Sequence, residues 1–258
     1  MSAELQPILL VPPDLLRSAQ EFHLPIAHCA YRLGSGPHLF RSGQPIPLRG
    51  GLMALDDMGF DGRGDPVPFC REVIQECQAR QFTGVVCDFE SRNHTALGQL
   101  VFRLSSLCQK WGLRCYVPEA LGLSAPEARV LLPTALSGGS LFRRLKEATE
   151  RFGAERVVPA IERVRMDFYL PAPDGQGREL TQQELQNMLD QRAPSVFFSH
   201  ELCAHYFTYM SKENGAHFVL FDDAASIRKK MQLAHQLGMD TTVLFYPQVR
   251  DLLPELLR

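Results

Sequence analysis

The sequence has no cluster of basic residues, no long uninterrupted apolar segment and no C-x-x-C pair. Its 27 lysines and arginines are scattered and the formal net charge is -2, so we do not expect a surface that binds nucleic acid. The apolar run near Ile8 is cut by prolines, and no basic region precedes it. We therefore expect neither a signal peptide nor a membrane span, and we expect synthesis in the cytoplasm.

The seven cysteines are odd in number, and several lie in apolar runs such as residues 85–87. They are predicted to be buried free thiols rather than a disulfide framework or a zinc site. His200 and His205 flank a Glu-Leu-Cys-Ala segment and are five positions apart, whereas a zinc-binding helix needs a spacing of four. We therefore expect no metal and no cofactor.

What the sequence does contain is an alternation of short β-rich runs with stretches of helical periodicity. This alternation is typical of a parallel sheet wrapped by helices. The predicted strands lie at residues 8–11, 26–33, 51–57, 84–90, 114–119, 129–136, 156–163 and 241–246. Eight strands in 258 residues predict an α/β fold, a (β/α)8 TIM barrel, formed as a single domain over residues 1–258.

Two further β-rich runs, at residues 195–203 and 217–221, interrupt this alternation before the helix predicted at residues 224–237. They predict a β-hairpin-like insertion between the seventh and eighth strands, placed over the mouth of the barrel. Active sites of such barrels form where the carboxyl ends of the strands meet, so the insertion is expected to border the site.

The predicted strand at residues 84–90 ends in two carboxylates, Asp88 and Glu90. Alternate residues of a strand face the same side, so both side chains are expected to point into the mouth of the barrel. Two neighbouring carboxylates do not ionise independently, and one of them can then serve as a general acid near neutral pH. Alternatively, the two residues form structural ion pairs with a basic residue such as Arg163 or Arg165.

The segment FTGVVCDFE at residues 82–90 resembles the D-G-x-D-x-D-x-E signature of glycoside hydrolase family 18, the chitinase-like barrels. Residues 49–51 stand where that family has an S-x-G-G strand, and residues 156–185 are similar to its strand-seven region. Residues 217–239 resemble the branch found in spore-cortex and germination enzymes of spore-forming bacteria. The resemblance covers most of the chain from about Gly50 onward.

The resemblance implies substrate-assisted, retaining hydrolysis of a glycan that contains N-acetylglucosamine, such as peptidoglycan, spore cortex or a chitin-like polymer. Glu90 would protonate the leaving oxygen. Asp88 would orient the acetamido group of the substrate, whose carbonyl oxygen attacks the anomeric carbon, and would stabilise the positive charge that develops. The implied partner is a glycan polymer or oligosaccharide, and the implied location is association with the spore.

Several positions depart from the family pattern. Thr83 and Val86 stand at its first two Asp positions, Ala135 and Leu136 replace the strand-six Tyr and Asp, and Tyr246 replaces a floor tryptophan. Losing one preorganised donor of this kind costs roughly 10²- to 10³-fold in rate. The sequence therefore supports two hypotheses: a glycosidase, or a catalytically weak or inactive glycan-binding or structural spore protein with the same barrel.

Polar and aromatic side chains near the mouth are expected to contact the sugar. The candidate substrate-binding residues are Asp57, Glu119, Glu162, Arg163, Asp167, Phe168 and Tyr246. A third alternative, a phosphate-handling barrel enzyme, depends only on the glycine-serine turn at residues 137–140. We rank it last because the chain lacks a convincing lysine near a strand end.

Overall fold

The computed structural model describes residues 5–43, 48–90, 94–170, 177–211 and 215–258. In these residues the strands are β1 (Gln6–Val11), β2 (Ile26–Gly34), β3 (His38–Arg41), β4 (Leu52–Asp56), β5 (Gly84–Asp88), β6 (Arg114–Pro118), β7 (Arg129–Pro133), β8 (Val157–Ile161), β9 (Arg165–Tyr169), β10 (Arg178–Glu179), β11 (Phe197–Ser199), β12 (Ala204–Ser211), β13 (Gly215–Phe221) and β14 (Thr241–Phe245). The α-helices are α1 (Leu16–Gln20), α2 (Pro66–Arg80), α3 (His94–Lys110), α4 (Leu141–Phe152), α5 (Gln182–Arg192), α6 (Ala224–Gln236), α7 (Tyr246–Val249) and α8 (Leu253–Leu256).

Eight parallel strands form a closed barrel, in the order β1, β2, β4, β5, β6, β7, β8 and β14, with β14 pairing back onto β1. This confirms the predicted (β/α)8 fold and all eight predicted strands. The last six strands end one to three residues before their predicted ends. Residues such as Asp57, Glu90 and Glu119 therefore lie beyond the strands, in the segments that form the mouth.

The main helices around the barrel begin at polar caps. Asp65 accepts a hydrogen bond from the backbone nitrogen of Val67 at the start of α2, and Asp223 and Ser226 form a capping box on α6. Two units are irregular, because β3 pairs antiparallel with β2 and a short 3-10 turn follows β6. No helix in the described part of the chain is long and apolar enough to cross a membrane.

The interior of the barrel is filled by alternate residues of its strands. These buried residues are Ile8, Leu10, Ala27, Leu52, Ala54, Val86, Tyr116, Leu131, Val158 and Val243. Their neighbours in sequence, such as Leu55 and Cys87, belong instead to the core between the strands and the helices. Extending the same alternation toward the carboxyl ends puts Asp56, Asp88, Glu162 and Phe245 on the inward side.

The cysteines belong to these cores. All seven are free thiols, and all but the half-buried Cys29 are buried, as predicted. Burial is the main cause that raises the pKa of Cys70 and Cys77 to about 12. They act as small apolar side chains between α2 and the barrel.

The insertion between β8 and α6 is a five-stranded antiparallel sheet in the order β10, β9, β13, β12 and β11, together with α5. We call it the insertion sheet. One face packs on α5 through residues such as Leu185, Phe207 and Val219, and the other face carries Phe168 and Leu220. The predicted two-stranded excursion is therefore too small, because β9, β10 and β12 were not predicted as strands.

Asp222 joins the insertion sheet to the barrel. Its carboxylate accepts hydrogen bonds from the backbone nitrogen of Val164 (2.9 Å), Ser226 Oγ (2.7 Å) and Lys230 Nζ (2.6 Å). The Lys230 and Asp222 side chains are 1% and 0% exposed. Each charge is therefore kept in the interior by the other.

We expect Lys230→Met to lower the free energy of unfolding by about 3–5 kcal/mol, because it leaves the Asp222 carboxylate buried without a counter-ion. Urea denaturation followed by circular dichroism measures the change. Lys229→Met, at the exposed neighbouring position, is the matched control and should change stability by less than about 0.5 kcal/mol. Similar small changes in both variants would contradict a structural role for the buried pair.

Candidate active site

Five carboxylates gather at the mouth of the barrel, and we call this group the acidic mouth: Asp56, Asp57, Asp88, Glu90 and Glu162. Asp56 and Asp88 are register neighbours on β4 and β5. Asp57 accepts a hydrogen bond from the backbone nitrogen of Glu90 at 3.0 Å. Glu162 is electrostatically coupled to both Asp88 and Glu90. The two candidate catalytic residues are thus brought together with three further acids.

The carboxylate of Asp88 is accessible to solvent on one side and enclosed by the mouth on the others. This partial burial, followed in importance by the charges of Glu90, Glu162, Asp56 and Asp57, raises the pKa of Asp88 to about 6. Burial and then the charge of Glu90 also raise the pKa of Glu162. A proton is therefore held in the acidic mouth at a pH where ordinary aspartates have lost theirs.

The structural alternative, in which Asp88 or Glu90 pairs with Arg163 or Arg165, is not what the structure shows. Arg163 binds Asp251, and the acid nearest to Arg165 is Glu179, at 3.9 Å. In the described part of the chain neither Asp88 nor Glu90 takes part in an ion pair. Neither carboxylate is therefore neutralised by a basic side chain of the described residues.

A cleft of about 350 Å³ lies between the acidic mouth and the insertion sheet. Leu136 and Ser137, which follow β7, form its barrel side, and Phe168 and Leu220 form the opposite wall. Glu162 lines both the cleft and the acidic mouth, so the two are continuous. A cleft that combines apolar walls with polar and charged groups is a usual form of site for a small organic ligand.

Comparison with known proteins agrees with this architecture, although no family model matches the chain. A cortical fragment-lytic enzyme of Bacillus subtilis (strain 168) is 24% identical over 153 residues, which cover 58% of this chain and 32% of that enzyme. The spore cortex-lytic enzyme SleL of Bacillus megaterium QM B1551 matches with a TM-score of 0.69 and 15% identity, over 99% of this chain and 74% of that one. A chitinase of Chromobacterium violaceum ATCC 12472 matches with a TM-score of 0.68 and 17% identity, over 92% and 93%.

The fold is that of the chitinase-like barrels. The predicted resemblance to chitinases and spore cortex-lytic enzymes is thereby confirmed for the architecture. The chain spans about one third of the length of the curated relative that it matches.

The side chain of Arg163 is held by contacts inside the protein. Its side chain is 4% exposed, and its Nη1 donates to both carboxylate oxygens of Asp251, at 2.8 and 2.9 Å. Its Nη2 donates to Gln182 Oε1 at 2.8 Å. Arg163 therefore ties the barrel to α5 and to the segment after α7. It also lines the cleft, and its substrate-binding role stays a prediction.

Asp167 points away from the cleft, so its predicted position at the site is corrected. Its carboxylate accepts a hydrogen bond from Tyr209 Oη at 2.8 Å and lies 2.9 Å from His217 Nδ1. Side chains alternate along β9, so Asp167 faces α5 whereas Phe168 faces the cleft. Asp167 therefore stabilises the far side of the insertion sheet, and Phe168 keeps its predicted position at the site.

Glu119 directly follows β6 at the same end of the barrel as Asp88. It is partly exposed and pairs with Arg144 Nη2 at 2.7 Å. Arg144 also donates to the carbonyl oxygen of Pro133, so the pair links the loops after β6 and β7. The substrate-binding role of Glu119 stays a prediction.

The aromatic residue of β14 that faces the mouth is Phe245 rather than the predicted Tyr246. Tyr246 is 2% exposed and packs edge-on against Phe22, in the core outside the barrel. Phe245 is 36% exposed and has the same parity as the inward-facing Val243. The predicted strand was one residue too long, and such an error moves the side chain to the opposite face.

Arg32 reaches the acidic mouth through a β-bulge and was not predicted. The bulge between Cys29 and Tyr31 turns Tyr31 outward and puts Arg32 in register with Asp56. Arg32 Nε donates to Asp56 at 2.8 Å, and both side chains are almost half exposed. Arg32 therefore offsets part of the charge of one acid, whereas Asp88 forms no ion pair with any residue that the structure describes.

We expect Asp88→Asn to raise the melting temperature by roughly 2 °C at about pH 7.5 and to leave it nearly unchanged at about pH 4. The folded-state pKa of Asp88 is raised, so its favourable contribution is complete below about pH 4 and is lost as the pH rises through about 6. Thermal denaturation at both pH values measures this, with Asp190→Asn, exposed on α5, as the control. A lower melting temperature at the higher pH would show that charge repulsion does not dominate at Asp88.

Proposed function

We propose that this chain is a glycoside hydrolase that cleaves an N-acetylglucosamine-containing glycan of the peptidoglycan, spore-cortex or chitin type. The observation that carries the proposal is the pair of carboxylates, Asp88 and Glu90, which are free of ion pairs among the described residues at the end of a barrel strand. Burial, and after it the charges of the surrounding acids, raise the pKa of Asp88 to about 6. Two proteins of the same fold, a spore cortex-lytic enzyme and a chitinase, carry names that support this substrate class.

In the proposed reaction Glu90 is the general acid. Its side chain is exposed at the mouth, and Asp57 fixes its backbone without engaging its carboxylate. The proton of Glu90 passes to the glycosidic oxygen as the bond from that oxygen to the anomeric carbon breaks. The carbonyl oxygen of the neighbouring acetamido group forms the new bond to the anomeric carbon, so the protein supplies no nucleophile.

Asp88 acts on the acetamido group in this scheme. Its carboxylate accepts the N–H of that group and stabilises the positive charge that develops on the cyclic intermediate. Water then attacks the anomeric carbon, Glu90 takes up the proton of that water, and the acetamido group is restored. Phe245 at the mouth and Phe168 in the cleft offer flat apolar faces to the sugar rings.

A second candidate function is glycan binding without turnover, in a structural protein of the spore. The observation that favours it is the barrel side of the cleft, where Ala135 and Leu136 offer neither a hydroxyl group nor a carboxylate. Ser137 offers a hydroxyl group in the same segment. Whether turnover survives therefore depends on how much Asp88 and Glu90 achieve without the missing donors.

We expect Glu90→Gln to lower kcat by roughly 10²- to 10⁴-fold, because the amide has no proton to give, and to change KM by less than about threefold. Release of reducing ends from spore cortex, peptidoglycan and chitooligosaccharides measures the rate. Glu150→Gln, exposed on α4, is the matched control. Saturable binding by the wild type without any reducing ends would favour the second candidate, and full activity of Glu90→Gln would exclude Glu90 as the acid.

The pH profile distinguishes the two carboxylates. We expect kcat/KM to rise as the pH increases through about 6, because Asp88 must be charged to stabilise the developing cation and its pKa lies there. Asp88→Asn should remove this rise. A rate that instead falls as the pH passes 6 would show that Asp88 donates the proton, and the two roles would be exchanged.

A further inference from the structure

We propose that the cleft beside the acidic mouth binds a carboxylate-bearing substituent of the glycan, and that Arg165 recognises this carboxylate. The inference rests on the proposed function and narrows its substrate class to acidic amino-sugar glycans. It gives a role to a buried arginine that the reaction at Asp88 and Glu90 does not use.

Arg165 is a buried cation with an incomplete set of partners. Its side chain is 14% exposed, and its Nε has no hydrogen-bond partner among the described residues. The nearest acid is Glu179, at 3.9 Å from Nη2, and the side chain of Glu179 is 70% exposed. A buried guanidinium group with unused donors gains most from a carboxylate, which accepts two parallel hydrogen bonds in its plane.

A second arginine lies beside Arg165. Burial and then the positive charge of Arg163 lower the pKa of Arg165, whereas the charges of Glu179 and Asp251 act in the opposite direction. Arg163 is itself held by both oxygens of Asp251. Both arginines line the cleft, and a carboxylate placed there would add to the weak pairing of Arg165 with the exposed Glu179.

The shape of the cleft fits a short acid on a sugar ring. Arg165 is the first residue of β9 and lies on the same strand face as Asp167, but it lines the cleft where the strand begins, as Glu162 does. Met166, Phe168 and Leu220 form an apolar wall from the insertion sheet. A ring held near Glu162 can direct a short alkyl arm along this wall and its carboxylate toward Arg165. A neutral chitin oligomer has no such group and leaves Arg165 unpaired.

The test uses three tetrasaccharides with the full chain. Chitotetraose is neutral, a tetrasaccharide of alternating N-acetylglucosamine and N-acetylmuramic acid carries free lactyl carboxylates, and its lactyl methyl ester has the same shape without the charge. We expect the wild type to prefer the free acid over the ester by about 10-fold or more in kcat/KM. Arg165→Gln should remove this preference through KM, and any change in chitotetraose cleavage should be much smaller than the loss on the free acid.

Arg178→Gln is the matched control, since Arg178 is an exposed arginine of the same insertion sheet and pairs with Glu184. Equal rates of the wild type on the acid and the ester would overturn the proposal, and so would an equal loss on all three substrates in Arg165→Gln. The comparison of acid and ester in the wild type needs no variant and decides the matter if Arg165→Gln does not fold.

Failure of the proposed function gives a different result. If the wild type cleaves none of the three substrates, calorimetric binding of the acid and the ester still tests Arg165. Tighter binding of the acid, lost in Arg165→Gln, would support the cleft as an anion site in a protein without turnover. Equal binding of acid and ester, or binding of neither, would overturn it.

Discussion

The closed, parallel barrel requires that side chains alternate strictly between its interior and the layer beneath the helices. The strands of the barrel obey this constraint except at the bulge in β2, and the site follows from it. Val86 fills the interior, so Asp88, two positions later, must lie above it at the mouth. The same rule places Asp56 above Ala54 and Phe245 above Val243. The acidic mouth is thus the uppermost layer of the barrel interior.

Gathering these acids is unfavourable, and the structure offsets this only in part. Arg32 neutralises one acid of the mouth, and the buried carboxylate of Asp57 is used to hold the backbone of Glu90. Burial of Asp88, together with the negative charges of these neighbours, raises its pKa to about 6. Unfavourable charge repulsion that is confined to one site of an otherwise well-packed protein is typical of a site of acid–base chemistry.

The sequence was sufficient to predict the barrel, its eight strands and the position of Asp88 and Glu90. Those features depend on local patterns, namely apolar runs and their spacing. The ion pair of Arg163 was not predicted, because its partner Asp251 lies 88 residues further along the chain and no local pattern indicates such a contact. Arg32 was missed because a bulge of one residue reverses the side that it faces, and the sequence does not mark the bulge.

The errors concentrate where the insertion sheet meets the barrel, and this has a physical reason. Strand β9 is packed on both faces, by the cleft wall at Phe168 and by the polar network of Asp167. It has five residues and begins four residues after β8 ends, so the sequence did not separate it from the seventh strand. The same two-sided packing makes the cleft asymmetric. Its lining includes Glu162, which belongs to the acidic mouth, and Arg165, whose nearest acid, Glu179, is 3.9 Å away. In the proposed site a substrate that spans the cleft therefore meets both charges, which favours a glycan with a carboxylate over a neutral one.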